Sequence, residues 1–171
     1  MPIYMQFTRG DGVVIKGGVT EPGYEGWIEL QSVQLGINRH VTNPTGRGVN
    51  RDASAPAVQE IVVTKEQDSA SEDLFRQSLW GVGAKVEIDF VKHQGDKPST
   101  TMSITLENTL VDNFSVSGHG GDAHAKPMEA LTLNFQTITY STEGPGRLIP
   151  GARTPAPQPD APAPRVKHRV K

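Results

Sequence analysis

VTKEQDSASEDLFRQSLWG, residues 63–81, carries a strand into a helix and the helix into a glycine. The strand, VQEIVVTKE (58–66), is rich in β-branched residues. Ser69-Ala70-Ser71-Glu72 then fits the S-x-x-E capping box, with Ser69 capping the helix and Glu72 reaching back to its amide. Asp73 adds negative charge to the first turn. Leu74, Phe75, Ser78 and Leu79 recur at helical spacing on one face, while Arg76 and Gln77 point elsewhere. Trp80 precedes Gly81, a helix stop. The spacing predicts about three turns from Ser71 to Trp80, too short to stand alone in water. The helix is therefore expected to pack through Leu74, Phe75, Leu79 and Trp80.

Around this helix the chain reads as strands and turns. IYMQF (3–7) is a short strand, followed by glycine-rich turns. WIELQSVQLGIN (27–38) alternates in two phases that flip near Gln31-Ser32, predicting a bulge or a strand that passes from one sheet to another. AKVEIDFVKH (84–93) places Val86, Ile88 and Phe90 on one face, with Glu87 and Asp89 on the other. TTMSITLENTLVDNFSVSG (100–118) puts Met102, Ile104 and Leu106 in phase, continued by Leu110, Phe114 and Val116. It is long enough for two strands or one bent strand. EALTLNFQTITYS (129–141) reads as one further strand with Leu131, Leu133 and Phe135 in phase. Alternating strands at short spacing with one helix predict a mainly β fold: a small closed or sandwich-like barrel of two packed antiparallel sheets, with the helix Ser71–Trp80 flanking it as a lid.

Two segments stand apart. HVTNPTGRGVNRDASAPA (40–57) has almost no core-forming residues and reads as a long polar loop, of the kind that is functional or disordered. From Gly144 onward the chain holds seven of its 13 prolines and closes with Arg165, Lys167, Arg169 and Lys171. Residues 1–143 are thus read as one domain and 144–171 as a proline-rich tail, extended and solvated.

Composition narrows the function classes. The 171 residues carry a net charge of −2, so no global field draws the chain to nucleic acid. The basic end lacks the interleaved aromatics that stack on bases. With no cysteine, disulfides and thiolate metal sites are excluded. No apolar run approaches the ~20 residues of a membrane-spanning helix, and MPIYMQFTRGDG lacks the pattern of a signal peptide. Stable membrane insertion is not expected.

The chemistry-bearing clusters have plain alternatives. His119, Asp122 and His124 fall in one loop and could supply two or three ligands to a divalent ion. Gly, Asp and His are also ordinary turn residues, and no other segment offers a further ligand, so the solvated loop is preferred. Glu87 and Asp89 suit an acid/base pair, but their alternation marks the polar face of a strand. Gly46-Arg47-Gly48 and Gly81-Val82-Gly83 lack the spacing of a phosphate loop. Ser117 and His119 come with no positioned acid. Trp27 and Trp80 read as core or interface residues. No cofactor is expected.

Several of these segments together resemble one family: Hcp, the haemolysin-coregulated protein of type VI secretion inner tubes. The resemblance begins at IKGGVTEPGYEGWIELQSVQLGI and is strongest in VVTKEQDSASEDLFRQSLWG. It continues through VEIDFV, ITLENTLVDNFSVSGHGG and MEALTLNFQTITY, covering about residues 3–141 in order. The resemblance implies a tail-tube-like barrel with one helix that carries no catalytic residue. It implies homohexameric rings that stack into an exported tube, partnered by spike and sheath proteins and by effectors. It implies cytoplasmic synthesis and then secretion without a signal peptide. A phage or other contractile-injection tail tube is the neighbouring reading, and a metal-dependent hydrolase centred on His119–His124 the remote one. In the family an extended loop between early strands mediates ring stacking. The stretch 40–57 sits at that place, and its Asn43, Arg47, Val49 and Arg51 are the residues expected to contact the next ring. The proline-rich tail departs from the family's short closing segment.

Overall fold

The computed structural model describes residues 1–38, 41–42, 52–53, 57–94, 97–118, 120–121 and 125–142. The expected stacking residues Asn43, Arg47, Val49 and Arg51, the loop residues His119, Asp122 and His124, and the tail lie outside the described residues.

The long strands are β1 (Ile3–Thr8), β9 (Ile61–Glu66), β10 (Ala84–Gln94), β11 (Lys97–Ser117), β12 (Met128–Asn134) and β13 (Thr137–Thr142). Shorter pieces are β2 (Val14–Ile15), β3 (Ile28–Leu30), β4 (Ser32–Gln34), β5 (Ile37–Asn38), β6 (Val41–Thr42), β7 (Asp52–Ala53) and β8 (Ala57–Val58), and one helix, α1 (Ser71–Trp80), lies between β9 and β10. Every ladder is antiparallel. The first sheet joins β3, β1, β10, the N-terminal half of β11, and β13, with β2 beside β1. The second joins the C-terminal half of β11 to β12, β9 and β4.

Three stretches of chain pass from one sheet to the other: β3–β4, β11 and β12–β13. The phase flip at Gln31-Ser32 is a sheet change: β3 pairs with β1, and β4, two residues later, pairs with β9. TTMSITLENTLVDNFSVSG is one long bent strand. Its bend is at Asn108, whose φ of 50° is the left-handed conformation that asparagine tolerates better than branched residues. A register shift between Val111 and Asn113 turns it further.

The expected single strand 129–141 is interrupted at Phe135-Gln136. It bends there because its partner β11 bends opposite, and Gln136 N–H still donates to the Glu107 carbonyl at 3.1 Å. The same bend moves Leu110 and Val116 off the core face, so both are exposed, contrary to the reading that continued Met102, Ile104 and Leu106 through them. The barrel is also not fully closed. Among the described residues, the outer edge of β13 and the edge of β11 beyond Thr109 carry no ladder.

Between the sheets lies one apolar core. Met5, Phe7, Ile28, Leu30, Val86, Ile88, Ile104 and Leu106 come from the first sheet. Ile61, Val63, Leu131 and Leu133 face them from the second, and Leu74 of α1 completes the cluster. Each fully buried aliphatic chain of this kind contributes about 1.5–3 kcal/mol relative to exposure. On the other face of the first sheet, Tyr4, Val19, Tyr24 and Val91 form a second cluster with Trp27 packed against it. The Tyr24 ring stands 5.0 Å from that of Trp27, edge to face, and its hydroxyl lies 2.6 Å from Thr100 Oγ1.

The capping box does not form. The N-cap is Ala70, without a side-chain cap bond. Ser69 instead donates to the Lys16 carbonyl at 3.1 Å, and Glu72 pairs with Arg76 at 2.6 Å. Asp68 takes over the turn, its Oδ1 accepting from Ala70 N–H at 2.9 Å. A buried lysine next to this turn supplies the reason.

Candidate assembly surfaces

Lys65 is the third inward residue of β9, in phase with Ile61 and Val63, and is fully buried. Its ammonium lies 2.9 Å from Glu129 Oε2 and 2.8 Å from Asp68 Oδ1, and donates to Ser71 Oγ and the Glu66 carbonyl at 3.1 and 2.6 Å. Ser71 closes the network by donating to Glu129 Oε2 at 2.9 Å. Its oxygen accepts from Asp68 N–H at 3.0 Å. Burying a lysine is tolerable only with such pairing. This requirement draws Asp68 and Ser71 inward and sets where α1 begins. Lys65 and Glu129 are 64 residues apart and were not singled out from sequence. The available signal was their inward phase, Lys65 with Ile61 and Val63, Glu129 with Leu131 and Leu133.

Anchored at that end, α1 buries Leu74 on the core and sets the Phe75 ring 5.7 Å from Phe114, edge to face. Phase alone placed Phe75, Leu79 and Trp80 against the domain. In the single subunit Phe75 and Leu79 are about half exposed and Trp80 is 77% exposed. The helix lies against β11, so Leu74 alone of its nearly three turns joins the core cluster and Phe75, Leu79 and Trp80 face outward.

A second surface is an arm. Stretch 40–57 is not merely a loop, since its ends are paired: Ile37 with Val58 and Asn38 with Ala57, then Val41 with Ala53 and Thr42 with Asp52. The register shifts by one between the two ladders, and such an offset twists a hairpin. Ile37 is exposed at its root.

The catalytic candidates within the described residues are held in structural roles. Glu87 pairs with Lys85 at 2.8 Å, and Asp89 accepts from the Tyr24 hydroxyl at 3.3 Å. Among the described residues no three His, Cys, Asp or Glu side chains gather as a metal site would require. None of the described helices is long and apolar enough to cross a membrane. What the described residues offer is surface for association: strand edges without a ladder, the paired root of a hairpin and an outward apolar helix face.

No curated protein sequence matches the chain. Among solved structures it is similar to a mutant Hcp1 protein of E. coli EAEC 042, at 22% identity and a TM-score of 0.69, covering 84% of this chain and 92% of that one. The secreted protein Hcp3 of Pseudomonas aeruginosa is similar at 20% identity and a TM-score of 0.60, covering 85% and 93%. A chain of the anti-feeding prophage baseplate, six-fold symmetrised, matches at 11% identity and a TM-score of 0.54, covering 82% and 92%. These likenesses establish the fold. The family model described as type VI secretion system effector, Hcp, matches residues 4–141, the whole of the two-sheet body with its helix and arm. The chain belongs to the Hcp family of type VI secretion proteins.

Proposed function

We propose that this chain is a structural subunit of the type VI secretion inner tube, acting by assembly and not by catalysis. Six copies form a ring, rings stack into an exported tube, and the tube carries or chaperones effectors. Spike and sheath proteins of the same system are its further partners. The observation that carries the reading is the family match across residues 4–141, joined to a fold shared with a six-fold symmetrised prophage baseplate. Unpaired edges on β13 and β11 give each subunit β-structured sides, which suits closure by cyclic symmetry. Ring closure would also explain how a small two-sheet body encloses a channel, since its own interior is filled by side chains.

The test is sedimentation of the purified chain with negative-stain imaging. A species near six times the 18.5 kDa subunit mass, seen as annular particles, is expected. A subunit that stays monomeric at micromolar concentration would sink the proposal. The prophage likeness keeps one second reading, a tail tube of another contractile injection system. Genes for a type VI membrane complex beside this one would reject it.

A further inference from the structure

We propose that the proline-rich segment 154–164 of this chain docks on the apolar surface at the C-terminal end of α1, with Trp80 as its platform. Trp80 is 77% exposed and is flanked by Leu79 and Val82, themselves 51% and 66% exposed. A contiguous apolar surface carrying an open indole marks a binding site more often than an idle one. Beyond it the chain crosses the turn after β1. A side chain at Gly10 would meet Val82 Cγ2 at 2.8 Å and the Gly83 carbonyl at 2.7 Å, so this close crossing requires glycine. The result is a shallow cleft of about 360 Å³ with Gly10, Gly12 and Gly83 among its lining residues, beside Arg9, Lys85 and Glu107.

A glycine-lined cleft that meets the apolar patch at Val82, two residues past the exposed Trp80, suits one kind of ligand. A polyproline II strand is extended, has no internal hydrogen bonds and loses little entropy on docking against aromatic rings. TPAPQPDAPAP, residues 154–164, provides Pro155, Pro157, Pro159, Pro162 and Pro164. Arg153 before it supplies a cation for Glu107, which is exposed and forms no salt bridge among the described residues.

The reach is sufficient. Thr142, the end of β13, pairs with Met102, whereas Ala84, just past the helix, pairs with Thr109. That offset along β11 is about 24 Å at ~3.4 Å per residue. The stretch from Thr142 to Pro155 spans about 40 Å as polyproline II. The segment's own chain is the committed partner, because a tether of this length keeps the local concentration in the millimolar range.

The absence of cysteine allows a clean test. A bimane fluorophore, quenched by tryptophan on contact, is attached to the full chain through Ala161→Cys. Quenching is expected, with its loss in Trp80→Phe and its retention in Trp27→Phe. Replacing Pro155, Pro157 and Pro159 by serine should also relieve it while leaving α1 untouched. Equal emission with and without Trp80, or indifference to the three prolines, would overturn the proposal. Quenching that disappears on dilution would likewise overturn docking within one chain.

Discussion

Lys65 is a fully buried ammonium, held by Glu129, Asp68 and Ser71. Removing one member of such a pair strands the other, at about 3–5 kcal/mol. Lys65→Met should therefore lower the unfolding free energy read from urea titration by that much, and Lys65→Met with Glu129→Leu should recover a large part of it. Recovery is expected because two apolar side chains need no partner. A smaller effect is expected at Thr109, buried beside the β11 bend with its Oγ1 lacking a hydrogen-bond partner among the described residues. Thr109→Val keeps the shape and removes the orphan hydroxyl. It should raise stability by up to about 1 kcal/mol, read as a higher midpoint at unchanged slope. Local reading of residues 69–72 gave a cap that tertiary charge pairing displaced. The capping motif competes at about 1 kcal/mol, less than the cost of an unpaired buried ammonium.

At the scale of elements, α1 and the arm behave differently. Leu74→Ala opens a cavity under the helix and should cost about 2–5 kcal/mol in chemical denaturation. Leu79→Ser, on the outward side, should change the stability of the isolated subunit by no more than about 0.5 kcal/mol. The arm is held by backbone pairing at β5–β8 and β6–β7. Replacing residues 43–54 with a short Gly/Ser linker should leave ring sedimentation unchanged and abolish stacking into tubes, as followed by light scattering and microscopy. Loss of the ring itself would make the arm a contact within the ring. The strands of the body were legible because Val86, Ile88, Ile104 and Leu106 alternate with polar residues. The arm was not, because its ladder bonds leave no hydrophobic period in HVTNPTGRGVNRDASAPA. The helix was found at its true bounds, but its outward stripe was not. Periodicity reports which residues share a face and says nothing of how much of that face a neighbour covers.

For the whole molecule, the phase flip at Gln31-Ser32 revealed the corner that joins the sheets, while the matching corner at Asn108 had only an Asn within an unbroken strand pattern to announce it. Both corners now bear on how the molecule opens. The first sheet cannot separate from the second without dragging β11 and the β3–β4 segment, which belong to each. Amide protons of Ile88 and Leu131, in different sheets, should therefore exchange with deuterium at the same limiting free energy, that of global unfolding. A subunit stitched this way has no half-melted state to populate. In the proposed exported tube, heat or chaotrope would release subunits that are either whole or fully unravelled.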